Sequence, residues 1–209
     1  MGFYGDQILP RFLNIIMSRG DITELRARVA SGLTGEVLEI GFGSGLNVPH
    51  YPPTLTRVWA LDPATVGRKL GAKRVAASPV PIDFVGLDAQ TIPLPGESVD
   101  HVLTTWTLCT IPDVSQALAE VRRVLRPGGV LHFVEHGRSP DLKVARFQDR
   151  INSVHRRLFG GCQLNRPIDH IVTGAGLELT QLKTYYRPGP AFDGYTFEGT
   201  AAKPLTPSG

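Results

Sequence analysis

Between residues 3 and 19 the apolar positions Ile8, Leu9, Phe12, Leu13, Ile16 and Met17 recur every three to four residues, which predicts an amphipathic helix. Asp21 and Glu24 then have the spacing of a capping box, opening a second helix that ends near Gly32. Beyond this point the period changes. Short apolar runs appear at 36–40, 57–61, 82–86, 99–105 and 129–135, most of them β-branched and bounded by Gly, Pro or Asp. Segments of helical pattern lie between several of them, notably 64–76 and 113–125. Apolar strands alternating with helices predict a parallel sheet covered on both faces. The run Arg126-Pro127-Gly128-Gly129 is expected to stop the 113–125 helix and turn the chain into the next strand. After residue 136 the alternation lapses. A helix is predicted over 140–159, with Phe147, Ile151, Val154 and Leu158 on one face, and a shorter one over 165–174. Two late strands near 177–185 and 194–202 fit an antiparallel pair at a sheet edge, joined through Arg187-Pro188-Gly189-Pro190. Residues 204–209 read as a frayed tail.

At 209 residues the chain fits one domain: a helical lid (1–32), a ligand-binding core (33–136), a helical cover (137–176) and C-terminal strands (177–203). Apolar residues make up 42%, enough for a packed core. The net charge of +3 comes without the Lys/Arg clustering of a nucleic-acid binder, so no nucleic-acid partner is expected. No apolar stretch has the length of about 18 residues that a membrane span needs. Asp6, Arg11, Asn14 and Arg19 interrupt the N-terminal apolar stretch, so no secretory leader is read there and a cytoplasmic location is expected. The amphipathic residues 3–19 leave room for a peripheral membrane contact. Cys109 and Cys162 lack metal-ligand spacing, so no metal is expected and both cysteines read as apolar filler.

The densest chemical signal is Val37-Leu38-Glu39-Ile40-Gly41-Phe42-Gly43-Ser44-Gly45, a strand that runs into a glycine turn. Glycine permits positive φ and close approach of backbone to a ligand. Leu46 stands where a dinucleotide fingerprint has its third glycine, and Glu39 would repel a pyrophosphate but accept from an ammonium. This charge logic favours S-adenosylmethionine over NAD. Asp62, at the end of the second strand, can accept from both ribose hydroxyls. Asp88 can accept from the adenine amino group, with the Ala89 N–H available to a ring nitrogen.

Through Leu38-Glu39-Ile40-Gly41-Phe42-Gly43-Ser44-Gly45, Leu61-Asp62-Pro63, Asp88-Ala89, Ser98-Val99-Asp100 and Arg123-Val124-Leu125-Arg126-Pro127-Gly128-Gly129, residues 36–135 resemble class I S-adenosylmethionine-dependent methyltransferases. The resemblance implies a Rossmann-like seven-stranded α/β sheet, mostly parallel with an antiparallel last strand and helices on both faces. It implies a cofactor site drawn from Glu39, Gly41, Phe42, Gly43, Gly45, Asn47, Asp62, Pro63, Asp88, Ala89 and Thr105. A narrower resemblance, to the alkyl thiol S-methyltransferases, rests on Asn47, Tyr51-Pro52-Pro53, Leu108-Cys109, Glu135-His136, Gln148, Leu158-Phe159, Gly161-Cys162, Leu164 and Arg166. It implies methylation of a small thiol. The hydrophobic N-terminal leader of that group is replaced here by the shorter amphipathic segment. A lipid head group or a quinone precursor is the alternative acceptor. His136, directly after the fifth strand, is the candidate base. Trp106, Gln148 and Arg166 are candidate acceptor contacts, Trp106 with core packing and Arg166 with carbonyl capping as the other readings. His132 reads as a satisfied core residue and His155 as an exposed one.

Overall fold

The apolar runs form one seven-stranded sheet. In this computed structural model, which describes residues 8–205, the strands are β1 (Gly35–Ile40), β2 (Leu55–Leu61), β3 (Ile82–Gly86), β4 (Val99–Thr105), β5 (Leu125–His136), β6 (Glu178–Tyr186) and β7 (Tyr195–Ala202). Their order is β3-β2-β1-β4-β5-β7-β6. Strands β1 to β5 pair in parallel, whereas β7 runs antiparallel between β5 and β6. The order reverses at β1, which has β2 on one side and β4 on the other. Open α/β sheets bind ligands in the crevice that this reversal opens at the carboxyl ends of the strands.

The helices are α1 (Leu9–Ile16), α2 (Gly20–Ala30), α3 (Thr65–Ala76), α4 (Val114–Val124), α5 (Leu142–Leu158), α6 (Ile168–Gly174) and the single turn α7 (Ala191–Gly194). Apolar side chains fill both sides of the sheet. On one side Leu118, Val121, Ile168 and Val172 pack with Leu38, Ile40 and Phe133. On the other, Val29 and Ala30 pack with Val37, Val58 and Leu103. Asp113 caps α4 by accepting from the Gln116 N–H at 2.9 Å, and Asp141 caps α5 through the Lys143 N–H at 2.7 Å.

Two local expectations are corrected. No capping box opens α2: Arg19 is its N-cap, without a side-chain bond, and Asp21 lies inside the first turn, where its charge faces the positive helix end. Arg126-Pro127-Gly128-Gly129 does not stand outside the strand. It begins β5, with Gly128 at φ +77° and a register irregularity against β4 that absorbs the turn. The first helix is seen only from Leu9 onward. Its expected beginning, residues 3–7, lies outside the described residues, as do positions 206–209 of the tail.

Candidate active site

The donor half of the site is built around the glycine turn after β1. Gly41, Gly43 and Gly45 all have positive φ, at +77°, +55° and +70°. At Gly41 a Cβ would stand 2.0 Å from Thr107 Oγ1, so glycine is required there by contact as well as by conformation. At Gly43 the nearest atom to a Cβ would be 3.8 Å away, leaving an open approach to the backbone. Helix α3 closes on the turn from behind. A Cβ on Gly67 would lie 2.7 Å from Gly43 O, and one on Gly71 2.7 Å from Ser44 O. These two glycines let α3 lie against the backbone of the turn, and the sequence reading missed them. In front, Asn14 of α1 accepts from the Ser44 hydroxyl at 2.6 Å.

Asp62 follows β2 and is buried. One oxygen accepts from the Gly43 N–H at 2.7 Å and the other from the Ala64 N–H at 2.6 Å. Burial raises its pKa, and the two N–H bonds oppose the rise. Glu39 is 1% exposed. It accepts from Asn47 Nδ2 at 3.1 Å and from the Tyr51 hydroxyl at 2.5 Å. Burial pushes its pKa up to about 7 against those bonds and the nearby positive charge of Arg26. Arg26 reaches in from α2. Its guanidinium donates to Asn47 Oδ1 at 2.8 Å and to Thr105 Oγ1 at 2.7 Å. Burial lowers its pKa to about 10. Its Nε is buried without a hydrogen-bond partner. Arg26 was absent from the expected site because a single arginine on an amphipathic helix carries no motif.

Two expected donor contacts need correction or a finer description. The Phe42 side chain does not line the crevice. It is buried in the core, edge-on to Phe84 at 5.3 Å, so only its backbone belongs to the turn. Asp88 stands just beyond β3, as expected, and is exposed, with one oxygen accepting from the Gln90 N–H at 2.8 Å. Ala89 is buried and Pro63 is exposed. An open, positive-φ glycine turn, a carboxylate at the end of β2 and a buried pair of opposite charges fit a nucleoside bearing a zwitterionic amino acid.

A second group of candidate residues gathers at the ends of β4 and β5. Trp106 has φ +52°, a rare conformation for a bulky residue, and its N–H donates to Val134 O at 2.8 Å. Two guanidiniums stand over its indole, Arg26 at 5.1 Å and Arg187 at 5.6 Å from the ring. The turn that follows hangs on Glu135. This fully buried carboxylate accepts from the N–H groups of Thr107 at 2.9 Å, Leu108 at 3.0 Å and Cys109 at 3.4 Å. Burial pushes its pKa up to about 7, opposed by the three N–H bonds.

That turn delivers Cys109 next to His136. The His136 Nε2 is 3.1 Å from Cys162 Sγ, and the two sulfurs are 3.6 Å apart. The contact with Cys109 comes first in lowering the Cys162 pKa, aided by His136 and opposed by burial. Burial opposes the rise in the His136 pKa, and the charge of the Cys162 sulfur outweighs it. Neither cysteine is mere apolar filler. Residues 53 positions apart meet here because the loop after α5 folds under the β4–α4 turn, with the Gln163 N–H donating to Cys109 O at 2.9 Å.

Gln148 and Arg166, expected at the acceptor, are engaged by main chain instead. Gln148 is fully buried; it accepts from the Ser139 N–H and donates to Gly137 O and Phe192 O. Arg166 donates to the carbonyls of Leu108, Ile111 and Pro112, the capping alternative. His132 is buried against His101 at 3.1 Å, as a core histidine, and burial lowers its pKa to about 4. His155 is half-buried rather than exposed, stacked on Phe159 at 4.4 Å. Beside the cysteines, Thr110, Arg156, Arg157 and Gly161 line an open groove of about 690 Å³.

Residues 38–133 match the family described as a methyltransferase domain. Human thiol S-methyltransferase TMT1B is 35% identical over 147 residues, which are 65% of this chain and 58% of that protein. The demethylmenaquinone methyltransferase of Renibacterium salmoninarum is 29% identical over 136 residues, 62% of this chain and 56% of that one. In fold, an S-adenosylmethionine-dependent methyltransferase from Methanosarcina mazei superposes with a TM-score of 0.63 at 21% identity, covering 82% of this chain and 93% of that one. Sheet order, glycine turn and family match together support a class I S-adenosylmethionine-dependent methyltransferase. The family and fold imply use of S-adenosylmethionine. Within the class, the chain resembles the TMT1 thiol S-methyltransferases and spans just over half the length of the human TMT1B protein.

Proposed function

We propose that this chain methylates a small, hydrophobic thiol. The observation that carries the reading is the sulfur and imidazole cluster at the acceptor ends of β4 and β5, in a chain similar to thiol S-methyltransferases. When bound, S-adenosylmethionine supplies a methyl group activated on a sulfonium. The chain then has to hold donor and acceptor in line, exclude water and favour the thiolate, since a free thiol titrates near about 8.5.

In this reading Asp62 takes the ribose hydroxyls, while Asp88 and the Ala89 N–H take the adenine edge. Asn47 already bridges Arg26 and Glu39. Arg26 draws the donor's carboxylate and Glu39 its ammonium. Gly41, Gly43, Gly45 and Pro63 give room at the turn, and Thr105 fixes Arg26. Trp106 forms the wall between donor and acceptor, and the cluster around His136 ionises the thiol. Arg156 and Arg157 line the neighbouring groove with positive charge, which favours an anionic sulfur acceptor.

The test is incubation with labelled donor and matched alkyl thiols, alcohols and amines. Methylation confined to sulfur is expected; transfer only to nitrogen, oxygen or carbon overturns the thiol reading. A lipid head group or quinone precursor is the second reading, favoured by the exposed Ile8, Phe12 and Ile15 around α1 and by the quinone-pathway relative. In that reading residues 3–19 touch a membrane surface. No helix among the described residues is long and apolar enough to cross a membrane. Co-sedimentation with vesicles that is lost in Ile15→Glu supports this contact, and its absence removes it.

A further inference from the structure

Cys109 Sγ, Cys162 Sγ and His136 Nε2 come from three separate segments, and all lie within 4.8 Å of one another. A tetrahedral ion with sulfur ligands at about 2.3 Å holds two sulfurs about 3.8 Å apart. The observed separation is 3.6 Å, and the imidazole nitrogen stands 3.1 Å from the Cys162 sulfur. No disulfide joins the sulfurs, and both cysteines are free. Two soft sulfurs and one imidazole form the donor set of a three-ligand zinc site that keeps its fourth position open.

The surroundings support such a site. Three backbone N–H bonds to Glu135 fix the turn that carries Cys109, and Arg166 braces the same turn through its carbonyls. His155 Nδ1 lies 3.1 Å from Cys162 O, holding the other loop. All three potential ligands lie buried, and only residue Cys162 as a whole keeps partial exposure, so the cluster sits out of bulk water with Cys162 as its nearest approach to the surface.

We propose that Cys109, Cys162 and His136 bind one thiophilic divalent cation, zinc in the first instance, and that its fourth position takes the acceptor thiol. Binding the thiol displaces a water and releases the thiol proton to solvent. The bound sulfur then uses its lone pair to form the new S–CH₃ bond, while the donor's C–S bond breaks and its sulfur leaves as a neutral thioether. His136 acts there as a ligand rather than as the proton acceptor. The docking step rests on the thiol reading above; the cation site does not.

Cobalt(II) is the probe. The whole chain is purified under a non-thiol reductant, stripped with chelator and titrated with cobalt. One equivalent is expected to bind with thiolate-to-cobalt charge-transfer absorption and the visible bands of a tetrahedral ion. Cys162→Ser and His136→Ala should each weaken uptake at least tenfold while still binding the demethylated donor, which reports that they fold. If a variant fails that control, the wild-type chain decides: zinc should slow alkylation of both cysteines at least tenfold. Absence of the charge-transfer band, uptake undiminished in a folded variant, or alkylation unaffected by zinc overturns the site. A small thiol should then shift the visible bands. If cobalt binds and no thiol moves those bands, the docking step fails and the site stands; if thiols shift the bands but are not methylated, the proposed activity fails instead.

Discussion

The proposed donor and acceptor halves of the site each rest on a buried glutamate at a strand end, but the two carboxylates are held differently. Glu39 is held by side chains, Tyr51 and Asn47, and shares Asn47 with Arg26. Glu135 is held by three consecutive backbone N–H groups and sets the path of a whole turn. Burial raises both pKa values to about 7. A side-chain cage can rearrange around a ligand's charges, whereas a backbone cage fixes where Thr107, Leu108 and Cys109 stand. The donor half is therefore arranged to exchange partners and the acceptor half to keep its shape.

The largest expected effect lies at the donor turn. Asp62→Ala removes the acceptor for the Gly43 and Ala64 N–H groups along with the proposed ribose contact. Donor affinity by calorimetry should fall about tenfold to a hundredfold; an unchanged affinity would place the donor elsewhere. On the acceptor side, Glu135→Gln sets an amide against three N–H donors and should cost about 1–3 kcal/mol of stability at pH 5, read as a lower urea midpoint, with the cost shrinking toward pH 8 as the wild-type carboxyl loses its proton. If the midpoint at pH 5 is unchanged, the backbone cage is not what Glu135 provides.

Titration sharpens the same contrast. A carboxyl whose folded pKa of about 7 exceeds its ordinary value of 4.5 favours the fold while protonated. That contribution is fully present below about pH 4.5 and is lost as pH rises through about 7, by roughly 3 kcal/mol per group. Glu39→Gln, which suits side-chain partners, should flatten about half of the resulting fall in urea midpoint between pH 5 and pH 8. An identical pH profile in the variant would show that Glu39 is not buried as charge. The smallest effect belongs to Asp88→Asn. Its carboxylate is exposed and already accepts from Gln90, so donor affinity should change by less than about threefold, because exposed polar contacts contribute little net free energy.

The same division explains what could be read from the chain. The sheet, its antiparallel C-terminal pair and the turn with Asp62 were legible because strand period and glycine spacing are local. Arg26, Gly67 and Gly71 were not, since each is an ordinary helix residue until the fold sets it against Thr105, Gly43 or Ser44. The acceptor cluster was invisible for a related reason. Metal-ligand spacing is a rule about neighbours in sequence, and Cys109, His136 and Cys162 become neighbours only in space. Gln148 and Arg166 show the converse: polar residues near a crevice can be taken up by the carbonyls and N–H groups of irregular loops.

Strand β6 precedes β7 in the chain yet lies outside it in the sheet. During synthesis, the open flank of β5 therefore cannot be closed by the strand that emerges first and must await residues 195–202. Until they arrive, the ribbon from Val130 to His136 offers unpaired peptide groups to any passing strand. A ribosome stalled before Tyr195 would release a product with its donor turn encoded in full and one side of its sheet ready to aggregate.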